Sequence, residues 1–243
     1  MNIVITMAGL GTRFRNAGYK VPKYMIEAKG RTLFEWSMES LKGYGTDNTY
    51  YFIVRKEDKA GDFIKEACKK LGIKSYKLIE LDHETDGQAT TALLASEYWD
   101  GEAPLLIYNI DTYVESYAMN YEELKGDGFI PCFKGSGDHW SFVKLSDTGE
   151  AVEVREKQRI SEHCTLGAYY FKSCALYEEL YREYYEENKG AVSREEAARK
   201  ERYVAPLYNY LISKGGSVYI SDVDSKRVHV LGTPEELQVF INE

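Results

Sequence analysis

Apolar positions in the first 112 residues fall into two alternating patterns. The apolar, β-branched run Asn2–Met7 reads as a strand buried in a parallel sheet, and Tyr50–Val54, Ser75–Leu81 and Pro104–Tyr108 read as three further strands. Between them apolar residues recur at helical spacing. Thr32 and Glu35 form a capping box for a helix through Leu41, with Leu33, Trp36, Met38 and Leu41 on its buried side. Phe63, Ile64, Ala67, Cys68 and Leu71 line a second helix over Asp62–Leu71, which Gly72 stops. Behind the polar loop His83–Gln88 a third helix is expected from Ala89 to about Tyr98. Strand, helix, strand, helix, strand predicts an α/β fold, a Rossmann-like three-layer sandwich on a mainly parallel central sheet. Ligands of such a sheet lie beyond the carboxyl ends of the strands.

The pattern changes after residue 112. Phe129–Phe133, Trp140–Leu145, Val152–Glu156 and Thr165–Phe171 are short strands split by turn signals at Gly135–Asp138 and Asp147–Gly149, which predicts an antiparallel second half. A helix is expected from Ser173 to about Glu187, and Ser193 with Glu196 gives a capping-box signature for the next. Pro206 should break that helix before Leu207–Lys214, and Gly215-Gly216 ends it. Ser217–Ile220 and Arg227–Leu231 read as late strands. Thr233-Pro234-Glu235-Glu236 then offers an N-cap, a proline in the first helical position and a glutamate in the third. No linker composition divides the chain, so one domain over 1–243 is expected.

Composition narrows the possibilities. A chain of 243 residues that is 44% hydrophobic and 29% charged can bury a full core. Its formal charge of -8 argues against a broad nucleic-acid-binding face. Neither a basic leader nor an apolar run of membrane-spanning length is visible, and a cytoplasmic location is expected. Cys68, Cys132, Cys164 and Cys174 lack metal or disulfide spacing and read as reduced core residues. His83, His139, His163 and His229 have no ligand spacing either. Tyr177, Tyr181, Tyr184 and Tyr185 are read as a candidate subunit contact.

One stretch runs against the overall charge. Residues 10–26 hold Arg13, Arg15, Lys20 and Lys23 without an acidic side chain, directly after Met7-Ala8-Gly9-Leu10-Gly11-Thr12. Glycines just past a strand let backbone N–H groups turn inward around phosphate oxygens, while Thr12 and the cations close round them. Arg13 and Lys23 are expected on an exposed loop. A dinucleotide fingerprint would need glycine at Phe14, and a Walker A loop would need Gly-Lys-Ser/Thr where Gly11-Thr12-Arg13 stands.

Gly9-x-Gly11-Thr12-Arg13 followed by Pro22-Lys23 resembles the signature loop of the sugar-phosphate nucleotidyltransferases, such as the catalytic domain of glucose-1-phosphate thymidylyltransferases. Further motifs follow in the family's order from residue 2 to about 240: Gly87-Gln88-Ala89, Asn109-Ile110-Asp111, Glu156-Lys157 ending a strand, Gly167 in the next strand, and Gly232-Thr233-Pro234. The resemblance implies an enzyme that joins a pyrimidine triphosphate (UTP, CTP or dTTP) to a sugar 1-phosphate or similar small phosphate, with release of pyrophosphate. It implies a nucleotide-binding half over about 1–112 and an acceptor half over about 113–243.

Ala8, Gly9, Gly11 and Thr12 would hold phosphates, and Gly87 and Gln88 the base, Gly87 by letting it approach the backbone. Arg13, Lys23 and Asp111 would carry the reaction, with Asp111 on Mg²⁺ or Mn²⁺. Glu156, Lys157 and Gly167 would meet the acceptor. The chain departs from the family at Gln158, where proline is usual, and at Val230, where many members place a second metal aspartate. Asp222, Asp224 and His229 lie near that vacant position at spacings that do not fit. The hexapeptide repeat of an appended β-helix is not seen. Two other readings are a related glycosyltransferase using Asn109-Ile110-Asp111 as a degenerate metal motif, which leaves the Gly9–Lys23 loop unexplained, and a nucleotide-binding regulatory module without turnover.

Overall fold

Strand β1 (Asn2–Thr6) lies at the middle of the parallel half, with β4 (Thr49–Arg55) on one side and β6 (Leu105–Asn109) on the other, and β5 (Tyr76–Leu81) beyond β4. Alternate side chains of these strands feed two separate cores. Val4, Tyr51 and Ile53 point to one face, and Ile3, Ile5, Phe52 and Val54 to the other. This explains the apolar runs of β1, β4 and β6, because neither face of a parallel sheet covered by helices meets water, whereas β5 at the edge stays partly exposed. Truncating Phe52, which is wholly buried, to alanine would cost about 3–5 kcal/mol.

A computed structural model describes residues 1–187 and 201–243. Helices α2 (Leu33–Glu39) and α3 (Gly61–Leu71) cover one face of the sheet through Phe34, Met38, Ile64 and Cys68. Thr32 and Glu35 close the expected capping box, and Gly72 ends α3. The opposite face is covered by α4 (Gln88–Leu93), α5 (Cys174–Tyr181) and α6 (Ala205–Ser213) through Ala89, Ala92, Tyr177, Leu180, Leu207 and Tyr208. The layers are therefore helix, sheet, helix. Tyr177, Tyr181 and Tyr184 are buried in this core, which corrects their reading as a subunit contact. All four cysteines are free and buried.

The second half adds β8 (Gly128–Lys134), β9 (Ser141–Leu145), β10 (Ala151–Glu156), β11 (His163–Thr165) and β12 (Ala168–Phe171) to the same sheet. Across the molecule the order is β10-β9-β11-β8-β12-β6-β1-β4-β5. The pairings from β12 to β10 are antiparallel, as the turn signals predict. Strand β13 (Val218–Val223) departs from that expectation, pairing parallel to β8. The strand expected over Thr165–Phe171 is broken into β11 and β12, since Gly167 stands at φ +74° and turns the chain there.

Other differences are local. Gln88–Leu93 tightens into a 3-10 turn at Leu94–Glu97, and α5 runs on as a π-turn at Arg182–Glu186. Pro206 sits in the first turn of α6, where its missing N–H costs nothing. The helix expected from Ser193 and Glu196 lies outside the described residues. Three elements are absent from the sequence reading: the short helix α1 (Thr12–Asn16), the hairpin of β2 (Glu27–Ala28) and β3 (Arg31–Thr32), and strand β7 (Thr112–Val114). Strand β7 pairs with β14 (Val228–Val230), and α7 (Pro234–Asn242) follows under its Thr233 cap. No helix among the described residues is long and apolar enough to cross a membrane.

Candidate active site

Sheet register and hydrogen bonds bring Gln88, Gly167 and Glu156 of the sequence-predicted residues into one row with Asn109. Thr6, the last residue of β1, pairs with Asn109, the last of β6, and accepts a 3.2 Å hydrogen bond from the Gln88 side chain. Asn109 N–H in turn donates to the Gly167 carbonyl at 3.1 Å. Beyond it, the Tyr169 hydroxyl lies 3.2 Å from Thr165 Oγ1 and 3.4 Å from Ser141 Oγ, and Ser141 is paired in register with Glu156 and hydrogen-bonds its carboxylate. Gln88, Asn109, Gly167 and Glu156 thus lie along the edge at which the parallel strands end, although 68 residues separate the first from the last.

The glycine loop hangs above this row on one apolar anchor. Phe14 of α1 is 2% exposed and packs with Ile26, Leu33, Leu231, Leu237 and Phe240, so the closing helix α7 forms the floor under the loop. That burial leaves Gly9, Thr12 and Arg13 exposed above it, and Ala8 and Gly11 half-buried. Arg15 reaches Glu57 at 3.4 Å between two exposed side chains, a contact worth little.

Lys23 overturns its expected exposure. Its side chain is only 11% exposed, its ammonium lies 2.6 Å from Asp111 Oδ1, and it stands 5.3 Å from the centroid of the Phe14 ring. The next residue, Tyr24, is buried and donates to Asp58 at 3.0 Å, which pins the turn that presents Lys23. Burial, followed by the Asp58 carboxylate, pushes the Tyr24 phenol far above its ordinary range, so it keeps the proton it donates to Asp58. Asp111 itself is 48% exposed, and its backbone is fixed by Asn109 Oδ1 on its N–H at 3.3 Å and by Leu231 N–H on its carbonyl at 2.7 Å.

The two specially shaped glycines make close protein contacts. A Cβ on Gly167 would stand 1.9 Å from Asn109 Nδ2, so this glycine makes room for the side chain that steadies Asp111. Gly87, at φ +145°, is expected to let a base approach the backbone. On the side where its Cβ would point, however, the backbone of Arg202 fills the space, at 2.4 Å. Lys157 is 54% exposed, and its ammonium donates to the Tyr203 hydroxyl at 2.7 Å. Arg202 and Tyr203 carry no motif that could have marked them in the sequence.

The remaining candidate metal ligands point elsewhere. Asp222 is paired with His163 at 2.9 Å, Asp224 caps the turn Ser225–Arg227, and His229 contacts Glu243 at 2.7 Å and stacks on Tyr113. Val230 pairs with Thr112, beside Asp111, and its side chain offers no oxygen. Among the described residues no group of three or more His, Cys, Asp or Glu side chains is arranged to hold a metal ion.

No protein-family model matches the chain. A nucleoside-diphosphate-sugar pyrophosphorylase from Vibrio cholerae RC9 is 38% identical and superposes with a TM-score of 0.89, over 99% of this chain and 100% of that one. The inositol-1-phosphate CTP transferase of T. maritima shares the fold at a TM-score of 0.77 and 16% identity, over 100% of this chain and 96% of that one. So does the CTP:phosphocholine cytidylyltransferase of Streptococcus pneumoniae, at 0.72 and 17%, over 99% and 97%. In sequence, 157 residues are 27% identical to the bifunctional protein GlmU of Methanocaldococcus jannaschii, which is 65% of this chain and 36% of that protein. The chain spans little more than a third of the length of that curated relative.

Proposed function

The chain belongs to the sugar-phosphate nucleotidyltransferase family, and on that premise we propose that it joins a pyrimidine nucleoside triphosphate to a sugar 1-phosphate or similar small phosphate. An acceptor phosphate oxygen attacks the α-phosphorus in line, the bond to the bridging oxygen of the β-phosphate breaks, and pyrophosphate leaves with the electron pair. No covalent enzyme intermediate is needed, since transfer of this kind rests on positioning and charge neutralisation. The observation that carries the reading is the 2.6 Å pair of Lys23 and Asp111 standing over the row from Gln88 to Glu156. Residues 1–112 serve the nucleotide in this reading and 113–243 the acceptor.

Arg13 and the amides of Ala8 to Thr12 hold the departing β and γ phosphates. Lys23, paired with Asp111, faces the α-phosphate, where negative charge grows as the new bond forms. Gln88, held by Thr6, keeps one edge of its carboxamide for a pyrimidine. Lys157 faces the acceptor phosphate and Glu156 its hydroxyls.

The residues present fit a divalent cation. The half-exposed Asp111 carboxylate at a strand end already holds one cation, the Lys23 ammonium. Hard oxygen donors suit Mg²⁺, which keeps several waters and leans on substrate phosphates, so one carboxylate plus a triphosphate suffices. When bound, the ion supplies charge neutralisation on the triphosphate.

The test is a grid of the four triphosphates against phosphorylated acceptors, glucose 1-phosphate and phosphocholine among them, scored by pyrophosphate release. Release with one pyrimidine triphosphate is expected, and none with any pair would sink the proposal. For the metal, calorimetric titration of Mg²⁺ should show weak binding alone and tighter binding with the triphosphate. Tight nucleotide-free binding would remove Asp111 from the ion.

A further inference from the structure

Residues 201–204, ahead of α6, cross from the loop assigned to the base to the strand end assigned to the acceptor. At the first end the Arg202 N–H donates to the Asp86 carbonyl at 2.6 Å, and the Arg202 carbonyl accepts from the Ala89 N–H at 3.0 Å, so its backbone brackets Gly87. Its side chain adds the Asp86 carboxylate at 2.9 Å and the Tyr181 hydroxyl at 2.6 Å. At the second end the Tyr203 carbonyl accepts from the buried face through Tyr185 at 2.5 Å. The Tyr203 hydroxyl takes the Lys157 ammonium at 2.7 Å and donates to the Glu201 carboxylate. Val204 then plunges into the core.

Lys157 is held unlike Lys23. Its neighbouring carboxylate, Glu156, lies 3.8 Å away and is engaged by the Ser141 hydroxyl. Its backbone adopts φ +55°, unusual for a side chain of this size, with its N–H tied to the Trp140 carbonyl at 2.9 Å. A lysine on an exposed strand end would ordinarily swing freely and lose that freedom on binding. Here one of its three N–H donors is spent on a neutral hydroxyl, and two remain for a phosphate.

We propose that Tyr203 is a positioning residue for the acceptor: it holds the Lys157 ammonium ready for the acceptor phosphate and, through the Arg202 backbone around Gly87, ties that lysine to the loop that receives the base. The proposal rests on the nucleotidyltransferase reading given above. It makes the strap a link from the base loop to the lysine: displacing the Arg202 backbone at Gly87 loosens the hold on Lys157, whereas losing the Tyr203 hydroxyl alone leaves the Gly87 end in place.

Tyr203→Phe removes the hydroxyl and keeps the ring. Acceptor KM, measured with glucose 1-phosphate or phosphocholine, should rise about tenfold, the loss of one hydrogen bond to a charged group. The kcat and the triphosphate KM should stay within about twofold. In a Lys157→Met background the same substitution should do nothing more, because the hydroxyl acts only through that lysine. An unchanged acceptor KM, or an undiminished penalty without Lys157, overturns the proposal.

A readout independent of turnover is acetylation of Lys157 by acetic anhydride, followed by mass spectrometry. The labelling should rise severalfold in Tyr203→Phe, and inorganic phosphate should protect the wild-type lysine more strongly than the variant's. Equal labelling and equal protection overturn the positioning role. A wild-type chain that releases no pyrophosphate with any substrate pair sinks the functional reading, and the labelling experiment then decides the geometry alone.

Discussion

Two lysines of the proposed site are held in opposite ways. At the nucleotide end Lys23 is 11% exposed, locked 2.6 Å from a carboxylate and backed by an aromatic ring. At the acceptor end Lys157 is 54% exposed and rests on a tyrosine hydroxyl. The difference follows their proposed work. A cation that meets charge developing in the transition state gains from low-dielectric surroundings and from having no freedom to lose. One that must capture a phosphate arriving from solvent has to stay accessible, and a neutral hydroxyl as nearest partner, with the Glu156 carboxylate 3.8 Å off, holds it less tightly than the Asp111 carboxylate holds Lys23. Both ends draw on distant segments, Lys23 on a carboxylate 88 residues away and Lys157 on a tyrosine 46 residues away.

The largest effects should fall on the buried end. Lys23→Ala and Arg13→Ala should each lower kcat by about 10²-fold or more with the far-UV circular dichroism unchanged. Near-normal turnover in either variant would remove that loop from the chemistry. Asp111→Asn should do the same and also lower the melting temperature more than Lys23→Ala does, because it strands a nearly buried ammonium while the reverse change leaves a half-exposed carboxylate. Asp222→Asn and Asp224→Asn should keep wild-type turnover, since one is tied to His163 and the other caps a turn.

A middling effect separates the two ends at the base loop. Gln88→Ala should raise the triphosphate KM about tenfold and blur the choice of base, with the acceptor KM unmoved. Gly87→Ala forces a Cβ to within 2.4 Å of the Arg202 carbonyl and should raise both KM values. Steady-state kinetics with each substrate varied in turn decides this. An acceptor KM unmoved in Gly87→Ala, as in Gln88→Ala, would mean that the ends are independent.

The smallest effect belongs to the scaffold behind the loop. Burial of Glu35, in the capping box of α2, raises its carboxyl pKa, but hydrogen bonds from Lys70 and Thr32 outweigh this and hold it below its ordinary value. A folded pKa below the unfolded one means that the unfolded chain binds the proton more readily. The stabilisation is therefore complete above the unfolded pKa and is lost as pH falls through the folded one. Glu35→Gln should cost about 1 kcal/mol at neutral pH, and thermal melts should show the gap to wild type closing on acidification below about pH 4. A gap that stays constant with pH would rule out the carboxylate charge as its source.

The sequence by itself determined whatever depends on neighbours along the chain. Doubly buried strands appear as unbroken apolar runs, the Thr32–Glu35 and Thr233 caps read correctly, and Gly72 and Pro206 punctuate helices where they should. The cation island and Asp111, on which the proposed phosphate chemistry rests, are likewise visible within short segments of the sequence. Only the tertiary structure decided the rest. No local pattern could tell that Lys23 would be buried, because its partner is 88 residues away. Gly167 gave no local sign that its bare α-carbon makes room for Asn109, nor Gly87 that its own is covered by Arg202. Likewise β13 lies parallel to β8, a pairing between segments some 90 residues apart that carries no periodic signature. Periodicity and capping are set by bonds and rotamers within a few residues. Partner choice across the sheet is settled by shape and charge that exist only once the layers have closed.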